Sequence, residues 1–280
     1  MQIIGSDCVI TGGAGGIGRG LIERLVRHEG AHAVACVDLP ESKIKEFVAD
    51  INKTAEREAV IGYAGNASDP DFMWSVFDDF VQKTGGPPEV LVNLMGRPLD
   101  ALMENYKPGN PPKIFAMDKL VENLVVNAAA PAEWACAFAY LHDKHRVDQG
   151  LGNWSDKGGG EEGVVVFVGS VSAEAGIVGQ LGYGMAKNAL LGTYRVFKNE
   201  CYYRLGLRPV LINPGFIETP MVTGMRPQEQ EAVLQLVPSK TFITVPAIVD
   251  TFVFALKCES ISAPVSVGAG YNSSPRLYKK

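Results

Sequence analysis

Residues 7–18 read Asp7-Cys8-Val9-Ile10-Thr11-Gly12-Gly13-Ala14-Gly15-Gly16-Ile17-Gly18. An apolar, strand-like run passes without a break into a glycine-rich turn, and an amphipathic helical pattern begins at Gly16. The turn fits two spacings at once. Thr11, Gly12, Gly16 and Gly18 fit T-G-x-x-x-G-x-G, and Gly13, Gly15 and Gly18 fit G-x-G-x-x-G. A strand–turn–helix of this kind presents backbone amides and the positive end of a helix dipole to a phosphate. Glycine both permits the tight turn and removes the side chain that would keep the phosphate away. A glycine-rich turn with no ligand shows the same letters, so the motif needs support from elsewhere in the chain.

Support lies twenty residues beyond Gly18. The next strand candidate ends in Asp38, where an acidic residue meets the adenosine ribose hydroxyls of NAD and repels a 2′-phosphate. No basic residue stands inside the turn or directly after Asp38, so NAD is expected over NADP. The competing reading of Asp38 is a helix N-cap ahead of Pro40.

Outward from this turn, strand candidates alternate with helix candidates. The strands are Asp7–Thr11, Ala33–Val37, Ala59–Tyr63, Val90–Asn93, Val164–Val168, Pro209–Asn213 and Pro264–Val267. The helices are Gly16–Glu29, Ser42–Thr54, Pro70–Thr84, Phe115–Arg146, Tyr183–Leu205 and Pro246–Lys257. Several strands are continuously apolar, the pattern of strands covered on both faces. The rhythm predicts an α/β fold: a single-domain, Rossmann-like, doubly wound parallel sheet of about seven strands with helices on both faces. Two polar or Pro/Gly-rich stretches, 97–114 and 142–162, read as surface loops or insertions. Residues 1–280 therefore read as one domain, with 219–238, which carries Met221 and Met225 between prolines, as a mobile helical lid over a substrate.

A second constellation lies in the later half. Tyr183 and Lys187 are four residues apart, on one face of a helix. A free phenol titrates near ~10, and a neighbouring ammonium favours the phenolate. Ser170 directly follows the strand 164–168, at the carboxyl end where doubly wound sheets bind ligands. There a hydroxyl can hydrogen-bond a carbonyl oxygen and stabilise a developing alkoxide. Ser172 competes for that role, and the spacing to Tyr183 favours Ser170.

These motifs, with Asn93-Leu94-Met95-Gly96, Asn127, Asn213-Pro214-Gly215 and Thr219-Pro220-Met221, come in the order of the short-chain dehydrogenase/reductase family, which the chain resembles over most of its length. The resemblance implies an oxidoreductase interconverting a secondary alcohol and a ketone, with Tyr183 as general acid/base and Ser170 orienting the carbonyl. Lys187 would bind the nicotinamide ribose and lower the Tyr183 pKa, and Asn127 would hold a water that relays protons. The implied cofactor cradle is Gly12, Gly15, Gly16, Ile17 and Gly18 in the turn, Asp38 and Leu39 after the second strand, and Asn66 and Ala67 after the third. Asn93, Leu94 and Gly96 follow the fourth, and Tyr183, Lys187, Pro214, Gly215, Ile217 and Thr219 would surround the nicotinamide.

Within the family the chain is most similar to type-2 3-hydroxyacyl-CoA dehydrogenases, on Asp38–Ser42, the loop ending Asp148-Gln149-Gly150, and Gly179-Gln180. This implies a 3-hydroxyacyl-CoA/3-ketoacyl-CoA pair as the small-molecule substrate. A steroid, polyol or sugar alcohol on the same scaffold, or a dinucleotide-binding interaction scaffold, stays open. The family implies a homodimer or homotetramer, with Trp134, Phe138 and Leu141 either on the oligomer face or packed on the sheet. Two residues depart from the family pattern: Met95, which either crowds the adenine side or packs beneath it, and Asn66, where an Asp is usual.

The remaining composition bounds other functions. A net charge of −5 disfavours nucleic acid as the partner. No run of ~18 uncharged apolar residues stands out, so no membrane span is expected. The five cysteines form no CxxC pair and read as single buried thiols. No histidine sits at metal spacing, so no metal is expected; His142 and His145 read as a solvated helix end, and Glu161 and Glu162 as exposed loop. The first strand comes too early in the chain for a leader, which makes the cytoplasm the default compartment and the mitochondrion the alternative where a leader has been removed.

Overall fold

All seven apolar runs pair in parallel in one sheet: β1 (Asp7–Thr11), β2 (Ala33–Asp38), β3 (Val60–Ala64), β4 (Val90–Asn93), β5 (Gly163–Val168), β6 (Leu207–Pro214) and β7 (Val265–Val267). The order is β3-β2-β1-β4-β5-β6-β7, so the winding reverses between β1 and β4 and opens a crevice at their carboxyl ends. The computed structural model describes residues 1–99, 101–104, 107–111, 113–157 and 159–268. Asp100, Asn105, Tyr106, Pro112, Gly158 and residues 269–280, parts of the expected loops and of the expected domain, lie outside them.

The helices are α1 (Gly16–Arg27), α2 (Ile44–Ala55), α3 (Pro70–Thr84), α4 (Met117–Leu124), α5 (Ala130–Asp148), α6 (Trp154–Lys157), α7 (Val171–Ala175), α8 (Leu181–Phe197), α9 (Tyr203–Leu205), α10 (Pro220–Thr223), α11 (Pro227–Leu236) and α12 (Val245–Lys257). The period-2 alternation of β1 sorts its side chains into two cores. Cys8 and Ile10 pack with Leu21, Leu25 and Phe252, while Val9 packs on the other face with Phe77, Trp134 and Phe138. Every residue of β1, β5 and β6 is buried, and in β5 this coverage of both faces shows in the sequence as an unbroken apolar run.

Several elements depart from expectation. A 3₁₀ turn, Pro40–Ser42, precedes α2, and Lys43 at φ 57° separates the two, so α2 starts at Ile44 instead of Ser42. The expected helix 115–146 starts at Met117, runs to Asp148, and contains a π-helical turn, Val125–Ala129, where the Ala130 N–H reaches back five residues to Val125. Pro131 has no N–H to continue the ordinary ladder, which is the sequence cause of the shift. A second π turn, Lys198–Tyr202, interrupts the expected helix 183–205, which begins at Leu181. Residues 117–148 are long and apolar enough to cross a membrane by length and composition, and half of the most apolar window is buried. Trp134 and Phe138 are completely buried within this one chain, with Trp134 donating to the Ala67 carbonyl at 2.8 Å, so their apolar spacing reflects packing on the sheet.

Three polar readings are corrected. His142 is buried, because it follows Phe138 by one turn on the face of α5 that packs on the sheet, its ring 4.7 Å from that of Phe138 and its Nε2 3.0 Å from the Pro88 carbonyl oxygen. The Glu161 side chain is 3% exposed and bonds Arg208 at 2.5 Å, and Arg208 also caps the carbonyls of Ala255 and Leu256; Glu162 pairs with Arg146. Cys136 is exposed, unlike Cys8, Cys36 and Cys201.

Burial pushes the His142 pKa down to about 4. The unfolded imidazole, near ~6.5, therefore takes up a proton before the folded one does. The stability contributed by the neutral ring is complete above pH ~6.5 and is lost as pH falls toward 4, by on the order of 3 kcal/mol. His142→Gln keeps a donor for Pro88 and removes the titration, so its Tm should fall less than the wild type's between pH 6.5 and 4.5. Parallel Tm curves for the two proteins would refute this account.

Candidate active site

The carboxyl ends of β1, β2, β4, β5 and β6 open onto one cleft of about 1110 Å³, spacious by the standard of small-ligand pockets. The glycine turn forms one wall. Gly12 has φ 69°, and a Cβ there would lie 2.8 Å from the backbone of Leu94 and Met95. A Cβ on Gly18 would lie 2.4 Å from the Gly12 carbonyl oxygen, and one on Gly16 would lie 2.8 Å from the Thr219 methyl group. The turn can close, and the Thr219 segment can seat against it, only without side chains. Gly15 caps α1 with no side-chain hydrogen bond, and no acidic residue stands in the first helical turn. Backbone donors and the positive helix end are thereby kept for a ligand anion. This cradle fits the pyrophosphate of a dinucleotide.

Asp38 closes the same wall. Its carboxylate accepts from the Ala14 amide at 2.9 Å and the Leu39 amide at 2.8 Å, tying β2 to the glycine turn. The residue capping the following 3₁₀ turn is Leu39, so the N-cap alternative for Asp38 does not apply. Leu39, Asn66, Ala67, Leu94 and Gly96 line the cleft together with Ile17, Pro214, Gly215, Ile217 and Thr219. Met95 lines it too, yet is 7% exposed and belongs to the core cluster of Trp134, so it packs beneath the cleft.

Ser170, Tyr183 and Lys187 face the other end of the cleft. Ser170 caps α7, with its Oγ accepting from the Ser172 amide at 3.1 Å. Ser172 also lines the cleft. The i, i+4 spacing on α8 puts the Lys187 Nζ 5.6 Å from the centre of the Tyr183 ring. Lys187 is buried and donates to the Val168 carbonyl at 2.8 Å, and loss of hydration lowers its pKa to about 8. Gly96, at φ 154°, fills the gap beside these groups: a Cβ would lie 2.7 Å from the Asn127 Oδ1 and 3.4 Å from the Lys187 Nζ.

Two expected site residues are placed behind the cleft wall. Asn127 is fully buried in the π turn, where its side chain accepts from the Arg97 amide at 3.0 Å and donates to the Arg97 carbonyl at 2.9 Å. Pro131, four residues on, cannot donate to the Asn127 carbonyl in the usual helical way. Asn93 is 1% exposed and joins β1 to α5 through Thr11 Oγ1 at 3.3 Å and the Pro131 carbonyl at 3.1 Å. Glu41 and Gln180, from the segments that carry the finer resemblance, also line the cleft, and so do Arg97 and Glu122, which no motif singled out. Asn123, buried one helical turn before Asn127, holds the Leu99 carbonyl at 2.8 Å. The only sequence sign of its role was a second amide at i, i+4 in an apolar helix.

The model of the short chain dehydrogenase family matches residues 7–141 and 151–230. The 3-oxoacyl-[acyl-carrier-protein] reductase of Thermotoga maritima is 26% identical over 260 residues, covering 93% of this chain and 94% of the relative. The Homo sapiens 3-hydroxyacyl-CoA dehydrogenase type-2 is 28% identical over 224 residues, covering 80% and 78%. In three dimensions, a 3-oxoacyl-[acyl-carrier protein] reductase from Brucella melitensis superimposes with a TM-score of 0.75 at 22% identity, covering 96% of this chain and 92% of that one. The fold and site thus define a nicotinamide-dinucleotide oxidoreductase, and the chain belongs to the short-chain dehydrogenase family.

Proposed function

We propose that this protein interconverts a secondary alcohol and a ketone with NAD, and that its substrates are 3-hydroxyacyl and 3-ketoacyl thioesters. The observation that carries the reading is the convergence of Ser170, Tyr183 and Lys187 on the cleft that begins at the glycine turn. The bound nicotinamide supplies the hydride donor or acceptor. In the reducing direction Tyr183 gives its hydroxyl proton to the carbonyl oxygen, and in the oxidising direction it takes that proton back. Ser170 donates a hydrogen bond to the same oxygen as negative charge develops there. The Lys187 ammonium favours the tyrosinate left after proton transfer, and its own buried, weakened hold on a proton suits it to a relay.

Two carboxylates at the cleft wall, Asp38 and Glu41, favour ribose hydroxyls over a 2′-phosphate, which supports NAD. For the substrate class, support comes from the names of the two relatives and from the apolar segment of Met221, Val222 and Met225 that lines the cleft. The test is NADH oxidation with acetoacetyl-CoA, run beside NADPH. Turnover with NADH is expected. Binding of NADH without turnover would turn the search to steroids and polyols. Asp38→Ala should narrow the preference for NADH over NADPH by about tenfold or more, since it removes both the ribose acceptor and the repulsion. An unchanged preference would assign selectivity elsewhere.

A further inference from the structure

Two cations line the cleft among the described residues, Lys187 and Arg97. Lys187 is buried and held by the Val168 carbonyl, which leaves Arg97, 55% exposed in its side chain, as the cation a ligand can reach from solvent. Arg97 is unusually well anchored for an exposed residue. Asn127 bonds both its N–H and its C=O, and Asn123 fixes the carbonyl two residues on, so the side chain leaves from a backbone held against two buried amides. Its guanidinium pairs with Glu122, but that carboxylate already receives Lys119 at 2.9 Å. Glu122 is thus shared between two cations, while Lys119 also lies within reach of Asp118, so Arg97 can give up its hold on Glu122 without leaving that carboxylate unpaired. Pro98, Val125 and Val126 add apolar lining to the same cleft.

We infer that Arg97 is an anion-recognition residue that binds a phosphate on the handle of the thioester substrate, with Glu122 as the competing group the phosphate displaces. The inference rests on the thioester reading above. Guanidinium is suited to the task because its planar donors match phosphate oxygens and its weak hydration lowers the cost of the exchange. The phosphate can come from coenzyme A or from a phosphopantetheine arm, and the two share the chemistry that Arg97 reads.

The test uses the NADH-saturated enzyme and calorimetric binding of free coenzyme A and of 4′-phosphopantetheine. Arg97→Gln should weaken coenzyme A binding about fivefold or more, and Glu122→Gln, by removing the competitor, should strengthen it. Equal weakening for both probes places the pantetheine phosphate at Arg97, and weakening for coenzyme A alone places a nucleotide phosphate there; either supports the site. In turnover, the KM for acetoacetyl-CoA relative to that for the uncharged S-acetoacetyl-N-acetylcysteamine should rise by a similar factor in Arg97→Gln. No coenzyme A binding to the wild type, equal binding to the variant, or an effect confined to the KM for NADH would overturn the inference. Arg97-dependent binding of coenzyme A with no turnover of either thioester would instead remove the proposed reaction and leave the anion site standing.

Discussion

Tyr183→Phe should lower kcat by about a thousandfold while NADH affinity stays within about twofold. The variant keeps the ring beside the Lys187 ammonium, 5.6 Å away, and removes only the oxygen that carries the proton. Positioned acid–base groups contribute roughly 10²–10⁴-fold, so a loss in that range identifies Tyr183 as the proton donor. Stopped-flow or steady-state NADH oxidation gives kcat, and quenching of NADH fluorescence gives affinity. Residual activity above about a tenth of wild type would mean that another group moves the proton. Ser172 is not such a group, since a serine hydroxyl is too weak an acid without a base of its own. A parallel fall in NADH affinity would show that the hydroxyl serves the cofactor instead.

The second large effect is expected at Gly18. An alanine methyl there would lie 2.4 Å from the Gly12 carbonyl oxygen and 2.6 Å from that of Gly13, both rigid backbone. The turn or α1 must move, and overpacking of this kind costs about 1–3 kcal/mol. Because the same movement displaces the amides aimed at the pyrophosphate, NADH affinity should fall about tenfold to a hundredfold. Gly86→Ala, at a position with nothing within 4 Å, is the control for an added methyl group. Fluorescence titration with circular dichroism separates the cases: retained ellipticity with lost binding is the expected outcome, and unimpaired binding would remove the glycine turn from the cofactor site.

Much of this site was legible from local rules. The 11–18 spacing marked a turn that side chains would block, and the structure puts Gly12, Gly15, Gly16 and Gly18 on one cleft wall. The period of 3.6 put Tyr183 and Lys187 on one face, and a strand's carboxyl end placed Ser170. Asp38 was found by its distance from Gly18. Arg97 and Glu122, which line the cleft, and Asn123, which holds the segment behind it, were not, because they meet only where α4 crosses the segment after β4, a contact with no local periodicity.

Local sequence sets the seven strands and the bulk of six helices, since these answer to alternation, helical period, glycine and proline over a few residues, whereas the 3₁₀ turn, the two π turns, the short helices α6 and α7 and the bounds of α10 and α11 were not legible there. It also determined that the strands would be covered on both faces, through runs such as Val164–Val168. Tertiary structure decided which polar residues were taken out of water. His142 and Glu161 look like solvated positions in the chain and become buried because the Phe138 face of α5 packs on the sheet against the Pro88 segment and Arg208 arrives from β6. It also decided that the Asn127 side chain would clamp both backbone polar groups of Arg97. Such outcomes depend on partners far along the chain, whose desolvation and hydrogen bonds are set only when the sheet order brings them together.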